Sequence, residues 1–148
     1  MKTTNDDVYA ETFYHFVWST KSRDAYIDSL LEPELYRYIR AKCELIRATV
    51  LAVGGMPDHV HLACTFPNTM SISEFVQHIK GSTSHFVNHH PTCAGPFAWR
   101  PGYGVLTFGK SDLPRVVRYI DGQKEHHSTQ TLSKKLEFFR HPQSPGHE

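Results

Sequence analysis

The chain has 148 residues, 39% hydrophobic and 12% aromatic, which is enough to bury the core of one domain. It holds no apolar run near the ~20 residues a membrane helix requires, and its 16 basic and 15 acidic residues (net charge +1) exclude the global basic signature of a protein that coats nucleic acid. Three widely spaced cysteines, Cys43, Cys64 and Cys93, form no C-x-x-C pair and argue against a disulfide framework or a cysteine zinc site.

The N-terminal stretch MKTTNDDVYAETFYHF has no signal-peptide core, so a cytoplasmic location is expected. Residues 11–20, ETFYHFVWST, are aromatic and β-branched and read as a buried strand. His15 alternates there with apolar neighbours, the pattern of a satisfied sheet histidine. After the polar loop KSRDAY, the segment EPELYRYIRAKCELIR places Leu35, Tyr38, Ile39, Leu45 and Ile46 at helical spacing, with Pro33 in the first turn. TVLAVGG is a second strand, GGMPD a turn and HVHLACTF, residues 59–66, a third strand. Side chains alternate across a strand, so Val60, Leu62, Cys64 and Phe66 share the core face while His59, His61, Ala63 and Thr65 share the other.

SISEFVQHIKGSTSHFV opens on Ser71 with Glu74 three residues on, a capping-box pattern, and carries an apolar stripe of Ile72, Phe75, Val76 and Ile79. PTCAGP breaks the chain. GYGVLTFG, residues 102–109, is a fourth strand. SDLPRVVRYIDGQKEHH, with cap-type residues and Pro114 at its start, is a helix, TLSKKLEFF a last short helix, and RHPQSPGHE a frayed tail. The expected unit is one domain over 1–148, with flexible ends at about 1–10 and 141–148. The order of elements predicts an α+β, ferredoxin-like (RRM-like) antiparallel sheet with helices on one face. The additional C-terminal tyrosine-bearing helix must then pack on the sheet or on a second subunit.

Two histidines at i and i+2 on one strand face stand roughly 6–7 Å apart along the strand, a workable spacing for a shared metal ion. The pattern is short, and two solvent-facing polar residues are its plain alternative. Tyr119 and Gln123, four residues apart, lie on one helical face. Beside such a strand, Gln123 offers a carbonyl oxygen to a metal held by two imidazoles. Tyr119, one turn away, is a residue type that serves as a covalent nucleophile. Asp58 reads as a turn residue. Lys21, Arg23 and Lys80 are candidates for phosphate contact. Trp99 and Arg100 are candidates for stacking on an unpaired base, with a core position equally open to Trp99. His126 and His127 end the tyrosine helix. His78, His85, His89 and His90 show no spacing that argues for a site.

Five segments, YHFVWSTKSR, MPDHVHL, SISEFVQHIKGSTS, WRPGYG and YIDGQKEHH, resemble the small single-strand DNA transposases of the HUH class. These are the insertion-sequence enzymes with one catalytic tyrosine and the REP-associated tyrosine transposases. The likeness runs from Phe13 to Phe139, in the family's order and at similar spacing. It implies that His59 and His61 are paired metal ligands, Gln123 the third ligand and Tyr119 the nucleophile. Tyr119 would form a 5′-phosphotyrosine bond and release a 3′-hydroxyl. It further implies Mg²⁺ as cofactor with Mn²⁺ also supporting activity, single-stranded DNA with hairpins as substrate, and a homodimer. Gly122 departs from the asparagine common in the family, and a glycine inside a helix costs about 1 kcal/mol relative to alanine. The competing expectations are a non-catalytic module of the same fold that binds a DNA hairpin or structured RNA, and a metal-binding or structural domain with no nucleic-acid role.

Overall fold

The alternation in the strands is obeyed on both faces of one sheet. A computed structural model describes residues 8–93 and 95–125. Its elements are β1 (Phe13–Ser19), α1 (Leu31–Leu45), β2 (Thr49–Met56), β3 (His59–Thr65), α2 (Ile72–Asn88), β4 (Gly104–Phe108) and α3 (Leu113–Asp121). The strands form a single antiparallel sheet in the order β2-β3-β1-β4. This is the expected α+β, ferredoxin-like arrangement. Among the described residues no helix is long and apolar enough to cross a membrane.

One face carries the main core. Phe16, Trp18, Val53, Val60, Leu62 and Cys64 meet Leu35 and Ile39 of α1 and Phe75 and Ile79 of α2. Phe66 and Phe75 stack with ring centroids 4.5 Å apart and planes 4° from parallel. The capping box at the start of α2 forms as its sequence predicts: Ser71 Oγ accepts from the Glu74 N–H at 3.1 Å, and the Glu74 carboxylate accepts from the Ser71 N–H at 2.8 Å. Those two bonds lower the Glu74 pKa. At α1 the sequence reading missed the cap. Asp28 Oδ1 accepts from the N–H groups of Leu30 and Leu31 at 3.0 and 2.7 Å, so the helix begins at Leu31, one residue ahead of the predicted segment.

The tyrosine-bearing helix lies on the other face. Val116 and Ile120 of α3 pack on Ala52 of β2 and Ala63 of β3. Helix α3 packs on the sheet within the chain, and the sheet is covered on both sides. A register shift in β2 between Val50 and Ala52 permits this. One extra residue in a strand restores alternation on a new phase, so that Val50 and Val53 join the main core while Ala52 faces α3. Gly54 completes the seat, because a Cβ there would lie 2.4 Å from the Ile120 carbonyl oxygen.

The expected helix is interrupted once: α3 ends at Asp121, Gly122 is its C-cap with φ −98° and ψ 21°, and residues 123–125 are helical again. Residues 1–7, Ala94 and 126–148 lie outside the described residues; these include His126, His127, the expected short helix over 131–139 and the expected flexible tail.

The seat predicts the effect of one methyl group. Gly54→Ala forces α3 away from β2 at a cost of about 1–3 kcal/mol, the range for overpacked interiors. Amide exchange should rise over 113–121 and stay slow in α1 and α2. Unchanged protection of α3 would show that the sheet and helix accommodate the methyl group without separating.

Candidate active site

Three imidazoles line the sheet face beneath α3. His15 of β1 and His59 and His61 of β3 all have zero exposure. Neighbouring odd-numbered positions put them there: Ser19 pairs with His59 and Val17 with His61 across β1 and β3. The ring centroids of His59 and His61 are 5.2 Å apart with planes at 71°. Tyr119, 6% exposed, sets its ring edge-on to His61 with centroids 6.0 Å apart. Gln123, 1% exposed, brings Oε1 to 3.2 Å from His59 Nε2. The structure therefore gathers the four expected residues, His59, His61, Tyr119 and Gln123, on one buried face. They are not the solvent-facing pair that the H-x-H pattern alone left open.

Buried imidazoles need hydrogen-bond partners, and each β3 histidine has one on Nδ1. His59 Nδ1 donates to Asp58 Oδ1 at 2.7 Å. His61 Nδ1 lies 2.8 Å from His15 Nε2. With the His59 proton on Nδ1, its Nε2 and the Gln123 oxygen face each other as two acceptors. A proton on Nε2 or a metal cation satisfies such a pair. Among the described residues no group of three or more His, Cys, Asp or Glu side chains is placed to hold a metal ion. Among the described residues a third donor would come from another residue type, and the Gln123 amide oxygen lies 3.2 Å from His59 Nε2. Two imidazoles and an amide oxygen suit Mg²⁺ or Mn²⁺ with positions left for other oxygen ligands, and they do not make a closed structural zinc cage.

Asp58 is more than the turn residue its sequence context suggests. Its Oδ2 accepts from Arg23 Nε at 3.0 Å while Oδ1 holds His59. Burial would raise its pKa; the hydrogen bonds and charges of His59 and Arg23 outweigh that and bring it down to about 2. Arg23 is delivered by a tight 3-10 turn, Lys21–Arg23, in which Ser22 and Arg23 have φ of 59° and 57°. Two consecutive non-glycine residues in the left-handed region cost of order 1 kcal/mol or more each. The turn is fixed by Thr20 Oγ1 donating to the Asp24 carbonyl at 2.6 Å and by the Thr20 N–H donating to the Asp58 carbonyl at 2.9 Å. The signal that sequence reasoning could have used is the acid directly before the first histidine at a strand start, a common orienting pair for a metal-binding imidazole.

The other basic and aromatic candidates are placed differently from one another. Lys21 is exposed on the same turn. Arg23 is half-buried and turned onto Asp58, Nε to Oδ2 at 3.0 Å. Lys80 Nζ donates to the carbonyls of Arg100 and Gly102, both at 2.8 Å, and so braces the loop at Gly102, where φ is 92°. Burial first, and then the Arg100 charge, lower the Lys80 pKa. Trp99 is in the core: its Nε1–H donates to Thr83 Oγ1 at 2.9 Å, and its ring meets Trp18 and Phe97 edge-on. That burial leaves no face on which a base can stack. The Arg100 N–H donates to the Ser19 carbonyl at 2.8 Å, which sets Arg100 at the His59 end of β1.

The family profile described as "Transposase IS200 like" matches residues 8–123. The ISDra2 transposase TnpA of Deinococcus radiodurans is 26% identical over 117 residues, 76% of this chain and 84% of that protein. The transposase for insertion sequence element IS200 of Salmonella typhimurium is 27% identical over 117 residues, 76% of each chain. Among solved structures, a putative transposase from Deinococcus radiodurans superposes with a TM-score of 0.63 at 27% identity, covering 83% of this chain and 98% of its own. A REP-associated tyrosine transposase bound to a REP hairpin superposes with a TM-score of 0.62 at 18% identity, covering 86% and 74%.

The Asp58 bridge should be visible in acid. A carboxylate with a depressed folded pKa adds stability above its unfolded value, 3.8, and loses it as pH falls towards about 2. Asp58→Asn should be less stable than the parent at neutral pH, and the two denaturation midpoints should converge below pH ~3.8. A gap independent of pH would mean that the carboxylate charge contributes nothing. Trp99→Ala should cost about 3–5 kcal/mol in a urea melt, the range for emptying a large aromatic site; a loss well under 1 kcal/mol would return Trp99 to the surface.

Proposed function

The chain belongs to the IS200-like transposase family, and we propose that it cleaves and rejoins single-stranded DNA through Tyr119. The observation that carries this reading is the convergence of Tyr119 from α3, His59 and His61 from β3, and Gln123 beyond Gly122 on one buried face.

In this reading the Tyr119 phenol oxygen attacks the scissile phosphorus. The bond from phosphorus to the 3′ oxygen breaks, the phenol proton is lost and the departing 3′ oxygen gains one. The products are a 5′-phosphotyrosine and a free 3′-hydroxyl, and attack by a 3′-hydroxyl on the phosphotyrosine reverses the step. His59, His61 and Gln123 would hold Mg²⁺, with Mn²⁺ as a substitute. When bound, the cation offsets charge that develops on the phosphate oxygens. Asp58 keeps the His59 proton on Nδ1 and so keeps Nε2 available. Val116 and Ile120 seat α3 and hold Tyr119 over His61. Because the tyrosine and both histidines are covered, the reading requires α3 to shift on the sheet as a phosphate enters.

A hairpin-bearing single strand is the substrate we favour. The support is a fold neighbour described with a REP hairpin bound. Lys21, exposed on the turn after β1, is the phosphate contact assigned here. A homodimer is part of the same reading, as it is for the resembling family.

The test is a denaturing-gel adduct assay with labelled single-stranded hairpins taken from the DNA that flanks the gene. A covalent band should form with Mg²⁺ or Mn²⁺, vanish with a chelator, and be absent in Tyr119→Phe. His61→Ala and Gln123→Ala should reduce it by at least about 100-fold, the upper end of effects on metal-site support. Tight binding with no band on intact, nicked or end-mimicking DNA would overturn cleavage and favour the hairpin-binding module.

A further inference from the structure

His15 is fully buried, and the proposed chemistry gives it no role. A zero-exposure histidine is expensive to desolvate unless it makes a hydrogen bond that matters to the fold or to the site. One such bond joins it to His61, Nε2 to Nδ1 at 2.8 Å, with ring centroids 5.1 Å apart.

An N···N hydrogen bond between neutral imidazoles holds one proton, so one ring donates and the other accepts. If His15 donates, His61 carries its own proton on Nε2 and that nitrogen cannot coordinate. If His61 donates from Nδ1, its Nε2 keeps a lone pair. The neighbouring histidine shows the second arrangement: His59 is anchored through Nδ1 by Asp58, and its Nε2 turns to Gln123. Both β3 histidines are thus gripped through Nδ1 by a partner on the side away from Nε2. Asp58 and His15 are different side chains in the same position relative to their rings.

We infer that His15 is a positioning residue that accepts the Nδ1 proton of His61 and fixes its ring in the tautomer whose Nε2 can bind a metal ion. The inference rests on the metal role proposed for His61. His15 itself reaches the nitrogen that a metal at Nε2 does not use, so it acts through His61 and not as a ligand. A partner of this kind typically changes metal affinity by about 10–100-fold.

The experiment uses the full chain, labelled with ¹⁵N in its histidine rings and free of metal, at mildly alkaline pH. Long-range ¹⁵N–¹H spectra give the tautomer of each ring. His61 should be protonated on Nδ1 in the parent and in His15→Gln, whose Oε1 can accept the same proton. In His15→Phe, which keeps an aromatic ring but no acceptor, the His61 population should move towards the Nε2–H form. Mn²⁺ titration by electron paramagnetic resonance should show affinity weakened by about 10–100-fold in His15→Phe and close to the parent in His15→Gln. A parent His61 protonated on Nε2 overturns the inference, as does a His15→Phe protein with parental spectrum and affinity. If the parent binds no Mn²⁺, the metal reading fails. The tautomer shift between parent and His15→Phe then decides the positioning role alone. If His15→Phe does not fold, the parent spectrum decides it.

Discussion

The closeness of α3 to the sheet is the constraint on which the rest depends. Helix and sheet can approach only where side chains between them are small, and the seat is made of Ala52, Ala63 and Gly54 against Val116 and Ile120. That approach covers the row of histidines and brings Tyr119 edge-on to His61. It also removes water from a site built of polar groups, and electrostatic interactions gain strength as water is excluded. A larger residue at any of the three small positions would move Tyr119 relative to His61.

Burial in turn dictates what surrounds the imidazoles. A ring nitrogen shut off from water is costly unless it is bonded to protein, and the fold supplies such a bond to Nδ1 of each β3 histidine from outside the site. Asp58 holds His59, and Arg23 holds Asp58. Arg23 is within reach because the turn after β1 adopts two consecutive left-handed residues, a conformation maintained by Thr20 and by the turn at Asp58. The strain in that turn and the orientation of His59 are therefore two ends of one chain of contacts, Thr20–Arg23–Asp58–His59. His15 plays the equivalent part for His61 from within the sheet.

Much of this was readable in the residues. Period-two alternation placed His59 and His61 on the face opposite Val60 and Leu62, and a strand-helix-strand-strand-helix-strand order sufficed for the sheet. The capping box at Ser71 was local and therefore legible. What was not legible depends on geometry that has no local signature. The bulge near Leu51 shifts alternation without altering composition. Asp28 caps α1 from a segment that reads only as polar loop. Asp58 is favoured in a turn for its own sake, and that preference hides its grip on His59. Lys80 and Trp99 look like a phosphate contact and a stacking platform in any basic or aromatic stretch. Only the three-dimensional path shows that carbonyls at Arg100 and Gly102 take the first and that Thr83 takes the second.

Gly122 separates two jobs that an unbroken helix would couple. In a continuous helix, Tyr119 and Gln123 would be locked one turn apart, and any tilt of α3 that admits a phosphate would carry the amide away from His59. The chain instead leaves helical register at Gly122. The next residues are tied down by Lys124, whose Nζ donates to the Glu32 carboxylate on α1 and, at 3.0 Å, to the Gly55 carbonyl on β2. Gln123 is thus anchored to the α1–β2 side of the domain, while Tyr119 belongs to α3. A glycine costs little at the junction between α3 and the helical residues 123–125.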